Sequence, residues 1–346
     1  MKALVFHEPE RISLETRPDP SPAPGEVLLR VGATGLCHSD IRVYLGQKHA
    51  RAGVVPGHEI AGVVEALGEG VTSVRAGERV VVCPIVSCAR CYFCLTGRRH
   101  RCLERKTLGY DEDGGLAERL LVPAQIVSLG HLIPVPDGLA IRRAAITEPL
   151  ACVLNSLETC GITGGSSLLI IGAGPMGLFH VLLARHLGAG TIIVSEPDAE
   201  RRASALRFGA SDALDPTSDD VRDAVRTATR GLGADAAVLA MGNAAALDLA
   251  LASTRPQGFV NLFAGFPPNT SVQFDPNSVH YPEIRLTGSQ NASPDQYRRV
   301  LQLLPRLDAA DEITTHRFPL AEATQAYEVR LRNEGLKSMV LVDDGA

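Results

Sequence analysis

Leu168-Leu169-Ile170-Ile171 runs without a break into Gly172-Ala173-Gly174-Pro175-Met176-Gly177, and no other feature narrows the possible folds of this chain as much. A short, wholly apolar run reads as a buried strand, and Met176–Leu187 behind the glycines has the spacing of a helix. Alone, a G-x-G-x-x-G is a weak signal in a chain with 33 glycines. Between a strand and a helix each glycine acquires a task. Gly172 permits the tight turn, Gly174 lets backbone approach a pyrophosphate, and Gly177 lets helix pack on strand. Pro175 suits the first helical turn, where its missing N–H costs little. Met176 follows it into a helix end whose amides and dipole face an anion.

The alternation continues downstream. Thr191–Ser195, Ala236–Leu239, Phe259–Phe263 and Ile284–Thr287 read as strands. Between them Glu200–Phe208, Asp219–Thr229 and Ala244–Ser253 read as helices. Regular alternation predicts a doubly wound parallel sheet of the α/β class over residues 150–289. Glu196 closes the second strand about 20 residues beyond the glycines, where an acid binds the adenosine ribose. A carboxylate there accepts from both ribose hydroxyls and repels a 2′-phosphate, which favours NAD over NADP. Arg201 and Arg202 lie just downstream and soften that preference.

With 346 residues the chain has room for a second domain. Residues 1–149 differ in texture: short apolar runs such as Val27–Val31, Ile60–Leu67 and Arg79–Val82 sit between frequent Gly and Pro. That pattern predicts a mostly-β domain. A helical run, Leu150 to Cys160, joins the two textures, and the stretch after Asp295 matches neither. A net charge of −5 gives no reason to expect nucleic acid or an anionic membrane as partner. No apolar run approaches the roughly 20 residues that cross a bilayer. Met1–Glu8 reads as a first strand rather than a signal peptide, so the expected location is the cytoplasm, where thiols stay reduced.

The eight cysteines therefore need a role other than disulfides. Cys88-x2-Cys91-x2-Cys94-x7-Cys102 places four thiols in one short, basic stretch, 83–105, with little core of its own. Four thiolates make a closed tetrahedral zinc site, structural rather than catalytic, and the metal supplies folding energy that apolar burial there cannot. An iron–sulfur cluster shares the ligand type; structural zinc is the favoured reading.

A second metal is suggested by Cys37-His38-Ser39-Asp40 and Gly57-His58-Glu59, with Gly62 beyond. Cys37 offers a thiolate, His58 an imidazole, and Glu59 or Glu148 a carboxylate, the mixed set of a zinc site that keeps one position open. Asp40 is suited to orient a ligating histidine through its other ring nitrogen. Ser39 sets a hydroxyl two residues from the thiolate, in place to pass on a substrate proton.

Gly57-His58-Glu59-x2-Gly62, the four-cysteine lobe and the Gly172–Gly177 turn, in that order, resemble the zinc-containing medium-chain dehydrogenase/reductase family almost end to end. Glu148-Pro149-Leu150-Ala151 is similar to its sorbitol and threonine dehydrogenase branch, where glutamate replaces a third-ligand cysteine. The resemblance implies a GroES-like catalytic domain, residues 1–149 completed by 290–346, around a Rossmann domain. It implies Cys37, His58 and Glu148 at a catalytic zinc, with Glu59 an exchangeable extra carboxylate. It implies hydride transfer between a secondary alcohol or polyol and NAD, with Ser39 relaying the proton. A threonine dehydrogenase-like amino-alcohol activity is the alternative, followed by a dinucleotide-binding relative that has lost catalysis. Relatives are homodimers or homotetramers. Tyr44, Leu45, Lys48, His49 and Phe266–Thr270 fall at pocket positions by the same likeness. One departure stands out: many relatives finish the relay with a histidine where this chain has Arg42, a permanent cation that cannot serve as a base. The proton then leaves by water, by the cofactor ribose or by another route, for which His38 and His49 are the candidates; His38 also falls near the cofactor phosphates of some relatives.

Overall fold

The computed structural model describes residues 1–343. Two compact units emerge: Met1–Ala151 with the segment from Ala292 onward, and Cys152–Asn291. The fold class is as expected, a mostly-β unit and a doubly wound parallel-sheet unit.

In the first unit the ten-residue strand Val27–Leu36 is the hub. Its run of β-branched and aliphatic residues is buried almost throughout, as a strand covered on both faces must be. It pairs antiparallel with Glu59–Leu67, Arg119–Val122 and Lys337–Leu341. Arg79–Val82 and Leu132–Pro134 extend the sheet on one side, and Thr314–Pro319 ends it on the other. The inward side chains Val27, Leu29, Val31, Ile60, Val64, Val80, Val82 and Leu120 form one core cluster. Each is worth about 1.5–3 kcal/mol of burial. The register sets Gly35 opposite Glu59 and Leu36 opposite Ser338. Chain ends more than 270 residues apart in sequence are thereby laid side by side.

In the second unit six strands run parallel in the order Asp212–Leu214, Thr191–Ser195, Ser167–Ile171, Ala234–Leu239, Thr254–Leu262, Arg285–Gly288. The order reverses on either side of Ser167–Ile171, which makes its carboxyl end the topological switch point. Sequence reading missed Asp212–Leu214, which is too short and polar to show a period. It also missed Thr314–Pro319, where Thr, His, Arg and a proline obscure alternation.

Two histidines are sealed inside as neutral rings, one in each unit. His180 lies on the helix Pro175–His186, its Nδ1 2.7 Å from the Met176 carbonyl and its Nε2 2.9 Å from Ser156 Oγ. His131 Nδ1 lies 2.9 Å from the Ile85 carbonyl. Burial holds each down to about 4. The folded pKa is below the unfolded value near 6.5, so the stability each contributes is complete above pH 6.5 and is lost as pH falls toward 4. The loss should reach about 3 kcal/mol per histidine. The thermal midpoint, followed from pH 7 to pH 4.5, is expected to fall less in His180→Gln than in the parent chain. An identical acid-side slope would contradict this assignment.

Candidate metal centres and dinucleotide turn

The four lobe cysteines come together. Their sulfurs lie within 4.8 Å of one another. Cys91 Sγ is 3.6 Å from Cys94 Sγ and 4.0 Å from Cys102 Sγ, and Cys88 Sγ is 4.0 Å from Cys94 Sγ. Tetrahedral zinc with ordinary Zn–S bonds asks for S···S spacings of about 3.8 Å. Backbone N–H groups already point at sulfur: Cys88 donates to Cys102 Sγ at 3.2 Å and Cys91 to Cys88 Sγ at 3.4 Å. Amides from Leu103 and Cys94 lower the Cys91 thiol to about 6, whereas burial and the neighbouring sulfurs raise Cys94 to about 12. Only a cation at the centre lets all four ionise together, so donor type and spacing both fit zinc. The lobe keeps Tyr92, Leu95 and Leu103 exposed, in line with its lack of an apolar core.

Cys37, His58 and Glu59 form a second group, each with a ligand atom within 4.8 Å of the others. Cys37 caps the helix His38–Tyr44, and His58 directly precedes the strand Glu59–Leu67. Asp40, buried to 1 % exposure, ties the two together. Its Oδ2 accepts the Cys37 N–H at 2.9 Å and its Oδ1 lies 3.2 Å from His58 Nδ1. Burial pushes the Asp40 carboxyl up, but His58, the Cys37 amide and Lys48 outweigh it and hold it below the usual carboxylate range. In return Asp40 and Cys37 overcome burial and make His58 well more basic than a free imidazole. Nδ1 being engaged, Nε2 is the ring's remaining donor atom, and a thiolate, an imidazole and a carboxylate suit zinc.

Glu59 has a partner that sequence reading did not find. Lys337, 4 % exposed on the last strand, sets Nζ 2.7 Å from Glu59 Oε1 and 2.6 Å from Oε2, and donates to the Leu36 carbonyl at 3.3 Å. Gly35 makes room for this carboxylate, since a Cβ there would stand 1.8 Å from Glu59 Oε2. Glu148, buried in the first turn of Thr147–Thr159, stands outside the tight group, yet its charge acts on Lys48, Tyr110 and Cys83.

Tyr110 was also missed. Its Oη lies 2.6 Å from Ser39 Oγ and 3.1 Å from His58 Nδ1. Lys48 Nζ sits 3.6 Å above its ring centroid. His38 lies by Arg42 and Arg330; partial burial and then these two charges lower its pKa.

In the second unit the glycine turn has the form its sequence asks for. Gly172 takes φ +100°, and a Cβ on Gly177 would meet the Gly172 carbonyl at 1.9 Å. Beyond its chain neighbours, no atom of the described residues lies within 4 Å of the Cβ position at Gly174, and the helix begins at Pro175 and runs through Met176. That leaves space at the N-terminal end of the helix for a phosphate. Glu196 is 5 % exposed and turned toward the turn, where Oε2 accepts the Ala173 N–H at 2.6 Å and Oε1 the Asp198 N–H at 3.1 Å. The Arg201 N–H caps on Asp198 Oδ1 at 2.9 Å. Arg202 is committed to the Glu196 and Pro197 carbonyls and to Asp215.

The alcohol dehydrogenase GroES-like domain matches residues 23–137, and the zinc-binding dehydrogenase family matches residues 175–306. The chain is 33 % identical to the sorbitol dehydrogenase of Halalkalibacterium halodurans over 98 % of this chain and 99 % of that protein. It is 36 % identical to the L-threonine 3-dehydrogenase of Pyrococcus horikoshii over 78 % of this chain and 76 % of that one. A zinc-binding dehydrogenase from Sinorhizobium meliloti 1021 bound to NADP superposes with a TM-score of 0.90 at 30 % identity, covering 99 % of both chains.

The Glu59–Lys337 pair yields a test. Lys337→Met leaves a buried carboxylate without its cation and is expected to destabilise the chain by about 3–5 kcal/mol. Adding Glu59→Gln should recover most of that loss in thermal unfolding. A Lys337→Met chain as stable as the parent would contradict the pairing.

Proposed function

Since the chain belongs to the zinc-binding, GroES-like alcohol dehydrogenase family, we propose that it oxidises a secondary hydroxyl of a polyol, with NAD as the hydride acceptor. It is a zinc-dependent alcohol/polyol oxidoreductase; the preferred substrate, the cofactor preference and the residue roles are the proposal. The observation that carries it is the convergence of Cys37, His58 and Glu59 with Asp40 behind them.

Cys37, His58 and Glu148 would hold the catalytic zinc, and Glu59 would alternate between it and Lys337. Cys88, Cys91, Cys94 and Cys102 would hold the structural one. Bound there, the catalytic zinc supplies a Lewis acid to the substrate oxygen and the nicotinamide supplies the hydride acceptor. Asp40 keeps His58 in one tautomer and one orientation. Lys337 gives the Glu59 carboxylate a neutralised resting position, which a buried acid otherwise lacks. Ser39 takes the hydroxyl proton and passes it outward. Arg42 takes no part in that transfer, because a guanidinium stays protonated.

Gly172, Gly174, Pro175, Met176 and Gly177 would cradle the pyrophosphate, with Arg201 near the adenosine end. A carboxylate at Glu196, fixed by the Ala173 amide, supports NAD over NADP because a 2′-phosphate would meet its charge. The eight free cysteines support a reducing cytoplasm. No helix among the described residues is long and apolar enough to cross a membrane. We take the working form to be a homodimer or homotetramer acting on a small-molecule substrate, without nucleic acid or membrane partners.

A panel of sorbitol-like polyols, simple secondary alcohols and L-threonine, assayed with NAD and NADP in parallel, tests this reading. Polyols with NAD are expected to give the highest kcat/KM, at least about tenfold above NADP. In Glu196→Gln, which keeps an acceptor for Ala173 but loses the charge, that gap should narrow severalfold. Preference for L-threonine would replace the polyol assignment with the amino-alcohol one, and no reduction of either cofactor with any substrate would sink the enzyme reading.

A further inference from the structure

The polar groups behind the second metal group form a chain whose hydrogen-bond directions can be deduced. The Asp40 carboxylate stands 3.2 Å from His58 Nδ1 without hydrogen-bonding to it, and its charge favours the imidazole proton on that nitrogen. Tyr110 Oη lies 3.1 Å from the same nitrogen. Because Asp40 Oδ1 makes no hydrogen bond, the single Nδ1 hydrogen goes to Tyr110 Oη, and the phenol oxygen accepts it. Its own hydrogen is then left for Ser39 Oγ, 2.6 Å away, the shortest contact of the set. Ser39 Oγ thus accepts from Tyr110, and the Ser39 hydrogen points elsewhere.

The phenol is held for this task. Its ring is packed at 5.1 Å from the His58 ring, and the ammonium of Lys48 caps its face. A phenol is protonated throughout the ordinary working range, so Tyr110 Oη has a hydrogen to donate.

We propose that Tyr110 is a positioning residue that sets the direction of the Ser39 hydroxyl. It occupies one Ser39 lone pair, leaving the other to receive a proton and directing the Ser39 O–H outward for onward donation. This assigns to Tyr110 and Ser39 together the steering that Arg42 cannot perform. The proposal rests on the reading of Ser39 as the proton acceptor given above. It does not require Tyr110 to ionise or to touch the substrate.

Tyr110→Phe keeps the ring, and with it the seat of Lys48, and removes only the hydroxyl. With zinc-loaded wild type shown to be active, the variant is expected to lose about tenfold in kcat with KM within about twofold. Without substrate or cofactor, its zinc should pass to a chelator several times faster, because His58 has lost one of its two fixing partners. The decisive measurement is the cycle with Ser39→Ala. If Tyr110 acts through Ser39, adding Tyr110→Phe to Ser39→Ala costs less than about twofold further in kcat. Losses that multiply, or a Tyr110→Phe enzyme equal to wild type in kcat and zinc release, would overturn the proposal. An inactive wild type would instead refute the reading of Ser39 on which it rests.

Discussion

One buried carboxylate organises the chemistry of this chain. Asp40 binds the backbone of Cys37 with one oxygen and approaches the ring of His58 with the other. An acid with 1 % exposure is stable only if its charge is answered, and here the answering groups are a helix-capping amide and an imidazole. The arrangement fixes one residue on the helix His38–Tyr44 against another at the head of the strand Glu59–Leu67. The helix end brings Cys37 and the strand head brings His58 and Glu59; Asp40 makes them one site.

A second buried ion pair closes the same region from the far end of the chain. Lys337 reaches Glu59 because Lys337–Leu341 and Glu59–Leu67 both flank the hub strand Val27–Leu36. Gly35 leaves the carboxylate its volume. Buried pairs of this kind contribute little net stability compared with apolar packing, and their use lies in holding a charge at a fixed position. A carboxylate that needs a cation, placed beside a thiolate and an imidazole, is suited to alternate between lysine and metal.

What was legible in the sequence was what lies close together in it. The glycine turn, its strand and its helix are contiguous, so their spacing reports their geometry. The four lobe cysteines share one stretch, and they meet in space. Tyr110 and Lys337 could not be read this way. Tyr110 lies in a turn 71 residues from Ser39, with no period to mark it. Lys337 opens an apolar strand 278 residues from Glu59, where a lone lysine reads as a solvated end. Lys337 is brought in by strand register, which depends on packing across the whole sheet, and Tyr110 by a turn whose backbone bonds to Thr107 and Arg51. The strand Asp212–Leu214 escaped for a different reason: three residues with two intermediate and one exposed side chain carry no pattern.

The two proposed metal positions differ in their donors: a closed set of four thiolates, and an open set with one thiolate, one imidazole and carboxylate oxygen. Zinc X-ray absorption on the purified chain, combined with metal analysis, measures that difference directly. Two zincs per chain should give an average of about 2.5 sulfurs per metal, from the five thiolates Cys37, Cys88, Cys91, Cys94 and Cys102, with nitrogen and oxygen completing the shell. About one zinc per chain surrounded by four sulfurs would show that only the lobe binds metal, and would contradict the catalytic centre.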